Sequence, residues 1–331
     1  LVELAVHPAQ ISLSTKEDFN SFVIVAKYDD DITRDVTRES TLSLSNNSVV
    51  RMENNLIYPL KDGNSTLTVS FQNRKIELPI MVQDAMVERP VSFNLDVMPV
   101  FLKAGCNTGS CHGSARGQDR FMLSLFGYDA KGDHFRITRE QGTRRINLAI
   151  PEESMLVEKA IAAVPHTGGK LFEKNSDHWN TLVGWLKRGA PEDPKDIAKP
   201  TNLELLPRSL LLEGRGARQQ MTVVAHYSDG STRDVTSLSV FQSNNDVSVN
   251  VDKGGLITAD KRGEAFITAR FGVFTKGTQV IVIPEDLKYK KPILPSNNYI
   301  DQLVYDKLHK LRIYPSEICS DEVFLRRVYL D

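Results

Sequence analysis

Three residues able to do chemistry stand close together in the run Ala104-Gly105-Cys106-Asn107-Thr108-Gly109-Ser110-Cys111-His112-Gly113. Two thiols followed directly by an imidazole can serve in three ways. The sulfurs can form thioethers with porphyrin vinyl groups while the histidine binds haem iron from below. They can close a short disulfide loop in an exported protein. They can also supply half of a zinc site, although a structural zinc takes four ligands and no second Cys/His pair lies nearby in the sequence. The haem signal normally has two residues between its cysteines, whereas four stand here, Asn107 to Ser110. The adjacency of Cys111 and His112 is kept, and Gly109 is the residue expected to take the positive φ of the longer loop.

A second stretch bears on the choice. Val164-Pro165-His166-Thr167-Gly168-Gly169 places a histidine beside a proline in a glycine-rich loop, and Asp177 to Pro191 carries Trp179 and Trp185 and ends in Gly189-Ala190-Pro191. Taken with the first motif, these residues resemble the cytochrome c-like segment of large planctomycete-type exported proteins, over about residues 91–195. The resemblance implies a mainly α domain with one covalently attached haem c. Cys106 and Cys111 would hold the porphyrin, with His112 and His166 as the two metal ligands. Phe121, Leu156 and Trp185, with Phe126, Leu171 and Leu182, would wall the pocket. Iron held between two histidines can only pass electrons, so the expected function is that of an exported c-type cytochrome in electron transfer. A cell-surface adhesion or scaffold protein with a Cys106–Cys111 disulfide is one alternative. A haem enzyme or sensor with an open distal site is another.

The elements that must position this motif are read from pattern. Residues 1–84 are punctuated by turn residues at Asp29-Asp30-Asp31, Asn46-Asn47 and Asp62-Gly63, and Phe22 to Lys27 and Leu67 to Phe71 alternate as strands do. The segment repeats. Tyr28-Asp29-Asp30-Asp31-Ile32-Thr33-Arg34-Asp35-Val36-Thr37 recurs as Tyr227-Ser228-Asp229-Gly230-Ser231-Thr232-Arg233-Asp234-Val235-Thr236. Pro8 matches Pro207, and Leu56-Ile57 matches Leu256-Ile257. Two copies, 1–84 and 202–285, therefore bracket the cysteine motif, and both resemble bacterial Ig-like modules of group 2. The expected fold is two all-β sandwiches flanking the mainly α cytochrome c-like domain, followed by a short helical segment at 296–331.

Within the centre, Asn94 to Lys103 has apolar residues at helical spacing, with Pro99 inside it. Ser114 to Asp133 reads as a β-hairpin or extended flap. Arg136, Arg139, Arg144 and Arg145 are candidates for contact with haem propionates. Glu152 to Ala162 and Trp179 to Lys187 read as helices. At the far end Asn298 to Leu311 is an amphipathic helix, and Ser320 caps another. The run Phe324 to Asp331 resembles the opening of an uncharacterised domain in the same exported proteins, which with a redox partner protein is the expected partner.

With 331 residues, 40% of them hydrophobic and 25% charged, the chain has ordinary globular composition. A formal net charge of −1 gives no electrostatic footprint for nucleic acid. No apolar run approaches the ~20 residues of a membrane span. Thioether attachment of haem takes place outside the bacterial inner membrane, so the motif implies a periplasmic or surface location.

Overall fold

The computed structural model describes residues 1–285 and 287–330. Its first sandwich has a three-stranded sheet of Glu3–His7, Val23–Lys27 and Thr33–Asp35. Facing it is a four-stranded sheet ordered Ile11–Ser14, Arg74–Gln83, Gly63–Phe71, Thr41–Leu44. A small sheet of Asn20–Ser21, Leu56–Pro59 and Val50–Glu53 closes one side. Strand alternation decides what is buried: in Gly63–Phe71, Ser65, Leu67 and Val69 point inward while Thr66 and Thr68 do not. Leu67 and Val69 meet Phe22, Ile24, Ile57, Leu78 and Ile80 in the core.

The second sandwich repeats this strand for strand. Pro200–Leu206, Thr222–Tyr227 and Thr232–Asp234 form its three-stranded sheet, and Ser209–Glu213, Phe274–Ile283, Gly263–Phe271 and Val240–Ser243 its four-stranded one. Arg218–Gln220, Leu256–Ala259 and Val249–Val251 complete it. The sandwiches lie against each other. Strand Thr33–Asp35 packs on Ser209–Glu213 and Arg218–Gln220, and strand Thr232–Asp234 packs on Ile11–Ser14 and Asn20–Ser21.

Between them, residues 91–195 are built from short pieces: α1 (Met98–Lys103), α2 (Ala130–Phe135), α3 (Gly142–Arg145), α4 (Met155–Ala160) and α5 (Asp177–Lys187). The expectation of a mainly α cytochrome c-like domain is corrected here. Only α5, at 11 residues, exceeds six, and the remainder is turns with single 3-10 and π turns, in a chain dominated by sandwich sheets. The physical reason is visible in the connections. From Gly105 to Leu125 the backbone bonds are single turns, such as Cys111 N–H to Thr108 O and Gly117 N–H to Ser114 O, and longer closures, such as Leu123 N–H to His112 O, and these do not propagate the i to i−4 ladder of an α-helix. The expected hairpin at Ser114–Asp133 is corrected too, since one isolated bridge, Gln118 to Phe121, stands in its place. α2 then begins inside that segment, with the Asp129 side chain accepting from Gly132 N–H. Pro99 sits in the first turn of α1, where its missing N–H costs nothing.

A buried charge cluster ties the three parts together. Asp96, 5% exposed, accepts both guanidinium nitrogens of Arg89 at 2.9 and 2.8 Å, Arg233 at 2.8 Å and Ser92 N–H at 2.8 Å. Arg89 leads out of the first sandwich, and Arg233 belongs to the repeated motif of the second. Asp193 clasps the same corner by accepting from Ser92 Oγ, Phe93 N and Asn94 N.

Asp18 of the first sandwich faces this cluster. Burial pushes its carboxyl up to about 6, against the pull of Ser14 N–H, Arg233, Phe19 N–H and Arg89. Its folded value lies above the unfolded 3.8. The associated stability is therefore full below the unfolded value and lost as pH rises toward 6. Removing the ionisable group with Asp18→Asn should make the stability difference between variant and parent grow in the variant's favour from pH 4 to pH 6, by on the order of 2 kcal/mol. Urea midpoints taken across that range measure it, and parallel curves would refute the assignment.

Beyond the second sandwich, α6 (Tyr299–Lys310) is capped by the Asn298 side chain and α7 (Asp321–Leu330) follows Ser320. Arg262 donates to the Leu311 and Arg312 carbonyls at 2.8 and 2.9 Å, and Arg312 donates to Asp30 O, which pins the end of α6 on the sandwiches. Asp331, the last residue of the expected signature, lies outside the described residues. Among the described residues no helix is long and apolar enough to cross a membrane.

Candidate functional site

The run after α1 folds as a tight loop. His112 N–H donates to Cys106 O at 3.0 Å, Gly113 N–H to Thr108 O at 3.0 Å, and Leu123 N–H to His112 O at 2.8 Å. The left-handed residue of the loop is Gly105, at φ +78°, and not Gly109 as the spacing suggests. A Cβ on Gly113 would lie 2.2 Å from Asn107 O and 2.6 Å from its carbonyl carbon, so the loop closes only around glycine. Gly113→Ala should therefore cost about 1–3 kcal/mol, as backbone overpacking does. Thermal melts of the two proteins compare them directly, and an unchanged melting temperature would show that the loop has slack.

His112 and His166 face each other with parallel rings, 6.4 Å between centroids and 7° between planes. His112 Nδ1 bonds the Phe121 carbonyl at 2.9 Å, and the Phe121 ring lies 4.7 Å from the imidazole. Donation from Nδ1 leaves Nε2 as the acceptor. Burial holds the His112 imidazole below its ordinary range, with Phe121 O pulling the other way, so the ring is neutral at pH 7. His166 Nδ1 is buried without a partner, and a Cβ on Gly168 would approach the ring to 2.8 Å. Arg145 stacks over Phe121 at 4.4 Å.

Cys106, Cys111 and Cys319 are free thiols. Burial first, and then the neighbouring Cys111, push the Cys106 thiol up to about 12. In reduced protein at pH 8 iodoacetamide should thus alkylate Cys111 well before Cys106, because only thiolate attacks. Peptide mass mapping over time reads the order, and equal rates would refute it.

The structure thus brings His112, His166 and Phe121 together beside the loop of Cys106 and Cys111, and Leu156 and Leu171 pack with Cys106 and Phe121 on the central core that holds Leu182 and Trp185. Leu156 is half-buried at the edge of the central core. Trp185 is wholly buried against Phe93 and His134, with its N–H on Pro191 O at 3.0 Å. Phe126 lies under Arg270 of the second sandwich. Arg136 pairs with Asp129 and Asp133, and Arg145 donates to the Arg136 and Arg120 carbonyls, which accounts for two of the arginines considered for propionates. Asn107, inside the motif, was missed by sequence reasoning. It is 0% exposed with both side-chain polar atoms unpaired, and a polar residue between two cysteines gave no sign of that burial.

Residues 37–82 match the family described as hyaluronate lyase, N-terminal beta-sheet domain. No curated protein matches the chain. Among solved structures, domains 5–6 of the S-layer protein SbsC are 10% identical at a TM-score of 0.33, covering 86% of this chain and 97% of that one. SbsC domains 4–9 are 12% identical at 0.29, covering 91% and 34%. Human protocadherin-24 EC1-2 is 9% identical at 0.18, covering 86% and 99%. Likenesses this weak carry no argument about what the chain does.

These findings correct the cytochrome reading. The matching family is a β-sheet domain, and no comparison points to a cytochrome c or to the planctomycete-type exported proteins. Among the described residues no group of three or more His, Cys, Asp or Glu side chains could hold a metal ion. Haem c as cofactor, iron as metal, and electron transfer as function are therefore not supported, and the cysteine spacing already stood outside the recognised haem signal.

Proposed function

We propose that this chain is part of a cell-surface adhesion or scaffold protein. Two β-sandwiches hold a small central domain rigidly between them, and Cys106 and Cys111 join as a disulfide that staples its loop. The observation that carries the reading is the Asp96 cluster, in which Arg89 from the segment leaving the first sandwich and Arg233 from the second sandwich share one buried carboxylate of the centre. A paired carboxylate buried between modules fixes their relative geometry, which a rigid scaffold requires. The match at residues 37–82 to an N-terminal β-sheet domain is consistent with such a part, and a stretch of that length transfers no lyase activity. The two cysteines are free thiols in the structure and share one loop, closed by the His112-to-Cys106 backbone bond, within which the staple would form. A disulfide-bearing oxidant of the exporting compartment would exchange with the two thiols, leaving as a dithiol with the two electrons and two protons while one S–S bond forms between Cys106 and Cys111. The test is protease shaving of intact cells combined with non-reducing mass mapping. Release of peptides from this chain and a Cys106–Cys111 crosslinked peptide support the proposal; a chain protected in intact cells, or thiols fully alkylated without reductant, would overturn it.

A further inference from the structure

The repeated motif carries a feature that neither repeat explains alone. In each copy the aspartate of Thr-Arg-Asp-Val-Thr uses one oxygen within its own module: Asp35 Oδ1 accepts Thr37 N–H at 3.0 Å, and Asp234 Oδ1 accepts Thr236 N–H at 2.9 Å. The same threonines accept a strand amide with their hydroxyls, Ile24 N–H at 2.9 Å and Val223 N–H at 2.8 Å. The second oxygen crosses to the other module. Asp35 Oδ2 accepts Gln220 N–H at 3.0 Å and Gln219 Nε2 at 3.2 Å. Asp234 Oδ2 accepts Ser21 N–H at 2.6 Å together with the Ser21 hydroxyl.

The two crossings are the same crossing. Asp234 occupies in the second repeat the place of Asp35 in the first, and Gln220 occupies the place of Ser21. Each module therefore gives a carboxylate to the other and receives one at its own small strand, Asn20–Ser21 or Arg218–Gln220. This is the arrangement of a two-fold interface, in which residue i meets j and j meets i. We infer that the Thr-Arg-Asp-Val-Thr segment is a self-complementary docking element, whose partner is a second sandwich bearing the same segment. Its specificity comes from geometry. One carboxylate oxygen fixes the donor's turn, and the other satisfies a backbone amide on the small strand of the partner, joined by a side-chain donor of that strand, the Ser21 hydroxyl in one half and Gln219 Nε2 in the other. Because the shared contact is the backbone amide, serine and glutamine can occupy the same receiving position. Outside this core the two halves differ: Thr33 bonds Leu211 on one side only, and Arg34 reaches Glu213 while Arg233 turns to Asp96. The differences make the pairing one-to-one between unlike copies.

The inference rests on the rigid-scaffold reading for its meaning, and its test is separate from the shaving experiment because it is read on purified chain. Hydrogen exchange resolved to short peptides is followed in the full protein carrying Asp35→Asn or Asp234→Asn. Asp234→Asn should speed exchange at the peptide holding Ser21 by about tenfold or more, as expected for loss of a hydrogen bond to a charged acceptor, and leave the peptide holding Gln220 unchanged. Asp35→Asn should do the converse. Thr236→Val, which removes the bond from Val223 N–H and keeps the Thr236 N–H bond to Asp234, guards against general loosening and should leave both receiving peptides protected. Faster exchange confined to the substituted module, or the same cross-module loss in the threonine variant, would overturn the inference.

Discussion

Replacing Asp96 with alanine is expected to cost about 3–5 kcal/mol of unfolding free energy, because it strands two guanidinium groups at a buried junction. Arg233 and Arg89 are only 26% and 33% exposed at their side chains, and both direct nitrogens at the Asp96 oxygens. Burial by itself pushes the Asp96 carboxyl upward, but Arg233, Arg89 and the Ser92 amide outweigh it and hold the group below its ordinary 3.8. A depressed folded value means that the contribution is complete above the unfolded one and disappears as pH falls through the folded one. The parent should therefore lose stability relative to Asp96→Ala in strong acid, the gap being widest near neutrality. Asp96→Asn keeps an acceptor without the charge and should fall between. Urea unfolding followed by fluorescence gives all three values. A loss under about 1 kcal/mol for the alanine variant would place Asp96 among ordinary surface pairs and would remove the observation on which the scaffold reading stands.

How much of this was readable beforehand differs by element. The sandwiches were, because a strand exposes its burial as a two-residue period and because a ten-residue motif occurs twice. Their pairing was not: Ser21 and Asp234 are 213 residues apart, and the receiving group is a backbone amide that leaves no trace in residue type. Asp96 was not singled out, since nothing local announces that two arginines, one of them 137 positions away in the second repeat, converge on it. In the centre, period-two reading failed at Phe121 to Phe126. Leu123 is buried and Leu125 exposed, and Phe126 sits at φ +56° in a 3-10 turn, so the alternation came from a turn and not from a strand. The cysteine motif was legible as chemistry and misleading as identity. Cys106, Cys111 and His112 do share one loop and His166 does face it, but types and spacing alone could not distinguish a cofactor mount from a stapled turn.

Trp185 offers the sharpest measure of whether the central region is a domain with its own stability. The side chain lies on the buried face of α5, wholly enclosed against Phe93 and His134, and its N–H satisfies the Pro191 carbonyl where the chain leaves for the second sandwich. Truncation to alanine removes a large apolar volume from a small core and leaves that carbonyl unpaired, an expected cost of about 3–5 kcal/mol. Trp185→Phe keeps most of the packing and loses chiefly the hydrogen bond, so about 1 kcal/mol is expected. The buried residues of the sandwich cores, centred on Leu67 and Ile267, are distinct from those of this cluster, although Leu238 packs against both it and the second core. Calorimetry of Trp185→Ala should therefore split one transition into two, the earlier accompanied, in reduced protein, by alkylation of Cys106, whose thiol is shielded only while the central core is closed. A single transition displaced as a whole would instead mean that Asp96 and the docked sandwiches couple the centre so tightly that no part of the chain opens alone.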